Sequence, residues 1–419
     1  MDAVREAALK TLYEVEKNGA YSNIALKNEL AGKDFSNRDR HFITSLVYGV
    51  IDKKLTLDYV IERYSKIKLK KLSSYILLIL RMGIYQILFM DKIPDNAAVN
   101  ECVTLAKRYG HKASSGYVNG VLRSVIREGV EYPKDKKRYL EIKYSYPDWL
   151  VKMWLDDFGY EFTEQLMVAF SKPAELTLRP NALKITAEEL CEKLSQYGAR
   201  VSDGAVICDG FDIAKSDLYK NGYFSVQDKA AQEVAKTLNP KPNDTVIDMC
   251  AAPGGKTTHM AELMDNRGEI LAFDIYPHKT ELIEKNAKRL GIDIIKARVF
   301  NAAERDETLI KSANCVLCDV PCSGLGIIGR KPEIKWNRPE DLTGLYETQR
   351  RILDNGAAYV KTGGAIVYST CTINRRENEE TINAFLAENK DFEKEFEKTY
   401  YPHIDNTDGF YICRLKRTK

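Results

Sequence analysis

The feature that most constrains the fold is an alternation of short apolar runs with helical patterns in the C-terminal half of the 419-residue chain. Strands that alternate with helices predict a parallel, doubly wound sheet. We expect its strands at residues 245–249, 269–273, 292–299, 315–320 and 365–369, with helices at 278–290 and 345–361. Residues 409–416 form one more alternating run, which we expect at an antiparallel edge of the sheet.

The N-terminal segment shows a different pattern, with apolar side chains at helical spacing and almost no strand signal. The first such set is Val4, Ala8, Leu12 and Val15. Between this segment and the alternating region, residues 176–179 read as a strand, and Thr186 with Glu189 forms a capping box for a helix. We therefore predict three domains: an all-α domain at 1–140, a small α+β module at 145–225, and an α/β domain at 226–419.

Charge is distributed unevenly along the chain. Residues 1–140 carry 25 Lys and Arg against 16 Asp and Glu, whereas residues 141–419 carry 38 against 44. A basic helical domain suggests docking to a polyanion, although a solvated basic surface is the alternative explanation. The expected footprint is a cluster of four lysines, Lys66, Lys68, Lys70 and Lys71.

Several classes of protein are disfavoured. The most apolar stretch, residues 75–90, is shorter than the ~20 residues of a spanning helix and is interrupted by Arg81 and Gln86. The N-terminus carries acids and lacks the apolar run of a secretory signal. Nine cysteines without framework spacing suggest reduced thiols. We therefore expect a cytoplasmic protein with no membrane association.

A small-residue turn follows the first expected strand of the α/β domain. Glycines allow a ligand to approach the backbone, and the N-terminus of the next helix supplies unpaired N–H donors. The turn consists of Cys250, Ala251, Ala252, Pro253, Gly254, Gly255 and Lys256. It does not have the spacing of a phosphate-binding P-loop. Asp274 ends the next strand at the distance where an acid meets ribose hydroxyls, so we predict an adenosine-type ligand; a tight turn with Asp274 as a helix cap is the alternative.

Two further strand ends carry reactive side chains. Asp319 and Cys322 follow one strand and Cys371 follows another, and the carboxyl ends of parallel strands meet at one edge of a sheet. We expect no metal, because Cys315 and Cys318 would point to opposite faces of their strand. A cysteine protease is disfavoured because none of the five histidines has a recognisable motif context.

At these residues the sequence resembles a known family. The segments MCAAPGGKTTHM, CDVPCSG, KPEIKW and YSTCTINRRENE are similar to successive motifs of the Sun-type S-adenosylmethionine-dependent RNA cytosine-5 methyltransferases. Residues 1–140, with DNAAVNECVTLAKRYG and YVNGVLR, resemble the helical RNA-binding domain of the antitermination factor NusB. The resemblance implies a multidomain fold: an all-α NusB-like domain, a small α+β module similar to an RNA-recognition motif, and a Rossmann-type class I methyltransferase domain.

The resemblance also implies roles for the strand-end residues. Cytosine C5 is a weak nucleophile, and a thiolate added at C6 would activate it. The family gives this role to the cysteine at Cys371, whereas Cys322 assists proton removal and enzyme release, and Asp319 stabilises the adduct at N3. S-adenosylmethionine would be held by the turn that runs from Cys250 to Lys256, by Asp274 and by Asp319. Where the family usually has an aspartate near the adenine, this chain has Asn301.

The implied substrate is 16S ribosomal RNA, with cytosine 967 as the family target, and we expect a monomer. The target base must be unpaired or extruded to reach the pocket, and we expect Arg330, Lys331 and Lys335 along the RNA path. An RNA-binding antitermination or assembly protein with a vestigial α/β domain is the alternative. The intact set of cofactor and thiol residues argues against it.

Overall fold

The structure is a computed structural model that describes residues 3–337 and 339–419. It divides into two compact units, Met1–Val168 and Ala169–Lys419. Among the described residues, no helix combines the length and the apolar character that crossing a bilayer would require.

The first unit is built from helices, and its described residues contain no strand. The helices are α1 Ala3–Asn18, α2 Ser22–Leu30, α3 Asn37–Asp52, α4 Lys54–Tyr64, α5 Ser74–Phe89, α6 Asp95–Tyr109, α7 Ser114–Glu128, α8 Lys136–Tyr144 and α9 Asp148–Phe158, followed by α10 Tyr160–Phe170. A short 3₁₀ turn, Leu69–Lys71, lies in the lysine cluster.

Polar residues define the start of one helix and the interior of another in this unit. The Ser36 hydroxyl accepts the Asp39 N–H, and the Asp39 carboxylate accepts the Ser36 N–H, so a capping box begins α3. Arg81, which interrupts the apolar run, is buried in α5 and donates to Asp58 at 2.7 Å and to Glu16 at 3.0 Å. The apolar run is thus a buried helix that carries an ion-paired arginine.

The second unit begins with a small antiparallel sheet. Its strands are β1 Leu176–Pro180, β2 Arg200–Ser202, β3 Ala205–Cys208 and β4 Phe224–Val226, in the order β2-β3-β1-β4, with helices α11 Ala187–Lys193 and α12 Asp217–Lys220. The predicted capping box is present, because Thr186 accepts the Glu189 N–H and Glu189 accepts the Thr186 N–H. The apolar side chains of this module form a separate small core around Leu178, Val206 and Phe224.

A seven-stranded mixed sheet follows. Its strands are β5 Thr245–Asp248, β6 Glu269–Asp274, β7 Ile295–Val299, β8 Ala313–Asp319, β9 Val360–Thr370, β10 Phe392–Tyr400 and β11 Phe410–Arg417, in the order β10-β11-β9-β8-β5-β6-β7. The helices are α13 Lys229–Leu238, α14 Gly255–Leu263, α15 Pro277–Leu290, α16 Thr343–Tyr359, α17 Glu379–Glu388 and α18 Pro402–Asp405. Strands β5 to β9 pair in parallel, and β11 is antiparallel to β9 and β10. The antiparallel orientation predicted for residues 409–416 is therefore confirmed, but their predicted place at the edge is wrong, because β10 pairs with the outer side of β11.

The large sheet is buried on both faces. Cys315 belongs to one apolar cluster and Cys318 to another, because successive side chains of a strand point to opposite faces. The prediction that these two cysteines point apart is therefore confirmed. Burial on both faces also explains why the central strands read as continuous apolar runs rather than as alternating ones.

The strand bounds differ from prediction at the edges of the sheet. The run at 292–299 begins as a strand only at Ile295, because Gly291 ends α15 with a φ of 80° and the chain needs further residues to turn. Strand β10 was not predicted, since its sequence FEKEFEKTY is rich in charge. Charged side chains are typical of an edge strand, where they block pairing with other chains.

Candidate active site

The small-residue turn joins β5 to α14 and is tied down by a buried aspartate. Asp248, at the end of β5, accepts the Thr257 hydroxyl at 2.7 Å and the Cys250 N–H at 3.4 Å. Burial raises the pKa of Asp248 to about 7, although the Thr257 hydrogen bond opposes that shift. Gly254 has a φ of 99°, a conformation that side chains disfavour. The first turn of α14 thus presents its backbone N–H groups at the carboxyl edge of the sheet.

Asp274 ends the neighbouring strand β6. It is 9% exposed, accepts the Tyr276 N–H at 3.1 Å and lies 4.0 Å from the Lys279 ammonium. One carboxylate oxygen therefore shapes the local turn, but it does not cap the helix, because α15 has Tyr276 as its N-cap and no side-chain cap bond. Within the described residues, the other oxygen accepts no hydrogen bond from protein. Asn301 follows the edge strand β7; its side-chain oxygen accepts the Ala303 N–H at 3.1 Å.

An ion pair lies at the next two strand ends. The Lys256 ammonium is 2.6 Å from one oxygen of Asp319, and the Ser369 hydroxyl donates to the other at 2.8 Å. Burial disfavours the charge on Lys256, but the Asp319 carboxylate outweighs burial, so the pKa of Lys256 lies above its ordinary value. The ammonium also lies 4.9 Å from the centre of the Phe410 ring. Lys256 is therefore a fixed cation at the centre of the site.

The two candidate thiols are in contact. The sulfurs of Cys322 and Cys371 are 3.2 Å apart, and both residues are partly buried. The hydrogen bond from Cys322 lowers the pKa of Cys371, and the Lys256 ammonium adds to that effect against the cost of burial. The same hydrogen bond, together with burial, raises the pKa of Cys322. The pair thus favours a thiolate on Cys371 and a thiol on Cys322.

The structure brings the predicted strand-end residues to one edge of the sheet. Strands β9, β8, β5 and β6 are neighbours, and their carboxyl ends carry Cys371, Asp319, Cys250 and Asp274 in that order. Burial raises the pKa of Cys250 well above its ordinary value, so this thiol is neutral and forms one side of the turn. The edge therefore combines a small-residue turn of the nucleotide-binding type with a pair of thiols in contact.

The three basic residues expected on the RNA path have different environments. Arg330 donates to Asp408 at 2.7 Å and to Asp228 at 3.1 Å. Lys331 is exposed, and its charge lowers the pKa of Cys371. Lys335 is fully buried, at 0% exposure, beside Trp336. The expectation for Lys335 was wrong, because its side chain is buried rather than on the surface where RNA would pass.

Sequence reasoning missed two groups that support the site. Glu377 and Asn378 are fully buried behind the thiols, and their only sequence signal was their place in the segment after Cys371. Arg179 and Glu262 form a buried ion pair at 2.7 Å between β1 and α14. A charged residue inside a strand-like run was the signal for Arg179, but its partner lies 83 positions away and cannot be read from spacing.

Comparison with known proteins assigns each part of the chain to a family. Residues 235–416 match the 16S rRNA methyltransferase RsmB/F family, residues 2–127 match the NusB family, and residues 146–217 match the ferredoxin-like domain of RsmF/B-like methyltransferases. The predicted fold class, an all-α NusB-like domain followed by a small α+β module and a Rossmann-type domain, is therefore confirmed.

Relatives of known name cover the whole chain. The probable ribosomal RNA small subunit methyltransferase B of Bacillus subtilis is 39% identical over 99% of both chains. Its counterpart in Synechocystis is 35% identical over 100% of both. The crystal structure of PH0851 superimposes with a TM-score of 0.81 at 28% identity, covering 99% of this chain and 98% of that one.

The fold and the site define a methyltransferase with a Rossmann-type catalytic domain and a NusB-like helical domain. Its substrate is ribosomal RNA. The chain belongs to the ribosomal RNA small subunit methyltransferase B family, and a methyl donor of the S-adenosylmethionine type follows from that membership.

Proposed function

We propose that this chain transfers a methyl group from S-adenosylmethionine to C5 of one cytosine in 16S ribosomal RNA, the family target being cytosine 967, through a covalent bond between Cys371 and C6. The observation that carries the proposal is the contact between the Cys322 and Cys371 sulfurs beside the Lys256–Asp319 pair. Addition to a pyrimidine ring requires a thiolate as the nucleophile and a proton donor close by. The site provides the thiolate next to a thiol and beside a carboxylate–ammonium pair.

The residues at the sheet edge fit S-adenosylmethionine. The turn from Cys250 to Lys256 has small side chains, and a Cβ placed on Gly255 would meet nothing closer than 3.9 Å, so a ligand can approach the backbone there. Asp274 has an oxygen available for the ribose hydroxyls, and Asn301 can accept from the adenine amine. Asp319 lies at the same edge of the sheet. When bound, S-adenosylmethionine supplies an electrophilic methyl group.

The reaction needs four steps from this chain's residues: addition of a thiolate, protonation of N3, removal of the C5 proton and release of the thiolate. The Cys371 thiolate adds to C6, and the π electrons of the C5=C6 double bond shift through C4 onto N3, which makes C5 nucleophilic. The Lys256–Asp319 pair provides the proton that N3 takes up as the ring becomes electron-rich. After C5 has gained its methyl group, Cys322 assists removal of the C5 proton. The electron pair of the broken C5–H bond then re-forms the C5=C6 double bond, and the bond between Cys371 and C6 breaks with its pair returning to the sulfur. The C5 proton passes to solvent by way of Cys322, and N3 returns its proton to the Lys256–Asp319 pair.

RNA binding is assigned to the N-terminal helices. Lys66, Lys68, Lys70 and Lys71 are all exposed on and beside one 3₁₀ turn, where they can neutralise phosphates. We propose that residues 1–140 hold RNA, residues 145–225 connect, and residues 226–419 carry the chemistry. The target cytosine must leave its stack to reach Cys371.

Single cysteine variants test the chemistry. Cys371→Ala should abolish transfer of labelled methyl groups to 16S ribosomal RNA, because no thiolate can add to C6. Cys322→Ala should leave an enzyme–RNA complex that survives a denaturing gel, because release fails after transfer. Cys191→Ala, on α11 outside the site, is the matched control and should turn over normally.

Two results would overturn the proposal. If Cys371→Ala trapped RNA and Cys322→Ala turned over normally, the roles of the two thiols would be reversed. If isothermal titration detected no binding of S-adenosylmethionine at millimolar concentration, the RNA-binding alternative without catalysis would be favoured.

A further inference from the structure

A buried carboxylate lies directly behind the two thiols. Glu377 is 0% exposed and accepts four hydrogen bonds. The donors are the Ser323 N–H at 2.8 Å, the Ser323 hydroxyl, the Gln349 amide at 2.8 Å and the Asn374 amide at 2.9 Å. Ser323 follows Cys322 in the chain, so the carboxylate holds the backbone immediately after that thiol.

The next residue holds the other thiol. Asn378 is also 0% exposed. Its side-chain oxygen accepts the Thr370 hydroxyl at 2.7 Å, and its amide nitrogen donates to the Thr372 carbonyl at 3.0 Å. Thr370 and Thr372 flank Cys371, so a single amide spans the backbone on both sides of it.

The two holding points are joined to each other. The hydroxyls of Ser323 and Thr372 lie 2.8 Å apart, and Glu377 and Asn378 are neighbours in the chain just before α17 begins at Glu379. A buried carboxylate without donors is costly, so the two loops and the helix α16 that supply its four donors are held to it. The distance between the sulfurs is therefore set by residues that do not touch either sulfur.

We propose that Glu377 and Asn378 are positioning residues that fix Cys322 against Cys371, and that release of the enzyme from RNA depends on Glu377. The inference rests on the proposed function, since it assigns release to Cys322. The negative charge of Glu377 also contributes to the raised pKa of Cys322, and this keeps Cys322 in the form that donates to Cys371.

Glu377→Gln is the direct test, because it keeps the shape but places an amide N–H₂ against two donors. Covalent enzyme–RNA complex should accumulate on denaturing gels, and kcat should fall by about 10²-fold, as expected for a reacting group displaced by about 1 Å. The KM for RNA and the affinity for S-adenosylmethionine should stay unchanged. Glu380→Gln, at an exposed position on the same segment, is the control and should behave as wild type.

A second readout does not depend on RNA. The pH midpoint for alkylation of Cys371 by iodoacetamide, followed by mass spectrometry, should rise in Glu377→Gln because Cys371 loses its S–H donor. A second variant keeps the inference testable if Glu377→Gln fails to fold. Ser323→Ala keeps the N–H bond to Glu377 but removes both hydroxyl bonds, so it should change both readouts in the same direction by a smaller amount.

The outcomes separate this inference from the proposed function. If Cys322→Ala traps RNA while Glu377→Gln and Ser323→Ala form no excess complex and leave the alkylation midpoint unchanged, the positioning role is refuted and the proposed function stands. If Cys322→Ala itself fails to trap RNA, the proposed function fails; a raised alkylation midpoint in Glu377→Gln would then still support the positioning of the thiols.

Discussion

Arg179 provides the sharpest test of how the small module supports the methyltransferase domain. Its guanidinium donates to both oxygens of Glu262, at 2.7 and 3.2 Å, to the Gly255 carbonyl at 2.6 Å and to Thr258 at 3.1 Å. The side chains of Arg179 and Glu262 are 3% and 1% exposed, so solvent does not screen the pair. Gly255 belongs to the turn that begins α14, so the same arginine also holds the cofactor turn.

Arg179→Met keeps the aliphatic volume and removes the charge. The Glu262 carboxylate then keeps its hydrogen bond from the Ala182 backbone but loses the cation paired with it, and loss of one member of a buried pair costs about 3–5 kcal/mol. For an m-value of about 2–3 kcal/mol/M, the urea midpoint of this unit should fall by about 1–2.5 M.

The loss of stability in Arg179→Met should also depend on pH. Burial raises the pKa of Glu262 even in the presence of Arg179, and without the arginine the shift should be larger. Because the folded pKa then lies above the unfolded one, the folded state prefers protonated Glu262, and stability is lost as pH rises. The deficit of Arg179→Met should therefore be larger at about pH 8 than at about pH 5.5.

Urea unfolding of the full chain at the two pH values measures both effects. Arg200→Met is the matched control, since Arg200 pairs with Glu175 at the surface with 54% of its side chain exposed, and it should cost less than about 1 kcal/mol. Adding Glu262→Leu to Arg179→Met should recover most of the loss. A deficit that shrinks as pH rises, or no deficit at all, would refute the reasoning.

Two further predictions concern the site itself. Lys256→Met removes the cation beside Asp319 and Cys371, so the rate of methylation should fall by about 10²-fold and the pH–rate profile should move to higher pH. Single-turnover assays measure both effects, and an unchanged pH–rate profile would contradict the role of the ammonium. A Cβ on Gly326 would lie 1.9 Å from a backbone oxygen and 2.8 Å from the Cys371 carbonyl, so Gly326→Ala should lose activity, whereas Gly344→Ala, with nothing within 4 Å, should remain active in the same assay.

Much of the catalytic sheet could be predicted from the sequence because its central strands are buried on both faces. Strand β8 reads as an apolar run with cysteines at 315 and 318, and both lie in cores where predicted. The unpredicted β10 has no such signal, since an edge strand gains its order from pairing with β11 rather than from burial. Lys335 was misplaced for the opposite reason, because a lysine in a motif gives no sign that its stem and ammonium are buried.

The sequence by itself determined the order of the domains, the parallel sheet and the set of residues at its carboxyl edge. These follow from periodicity and from the rule that parallel strands end at the same edge. Only the tertiary structure decided that the sulfurs of Cys322 and Cys371 touch, that Lys256 pairs with Asp319, and that Glu377 holds the loop after Cys322. Such contacts join residues dozens of positions apart, and their distances depend on how the strands and loops pack, which no local pattern encodes.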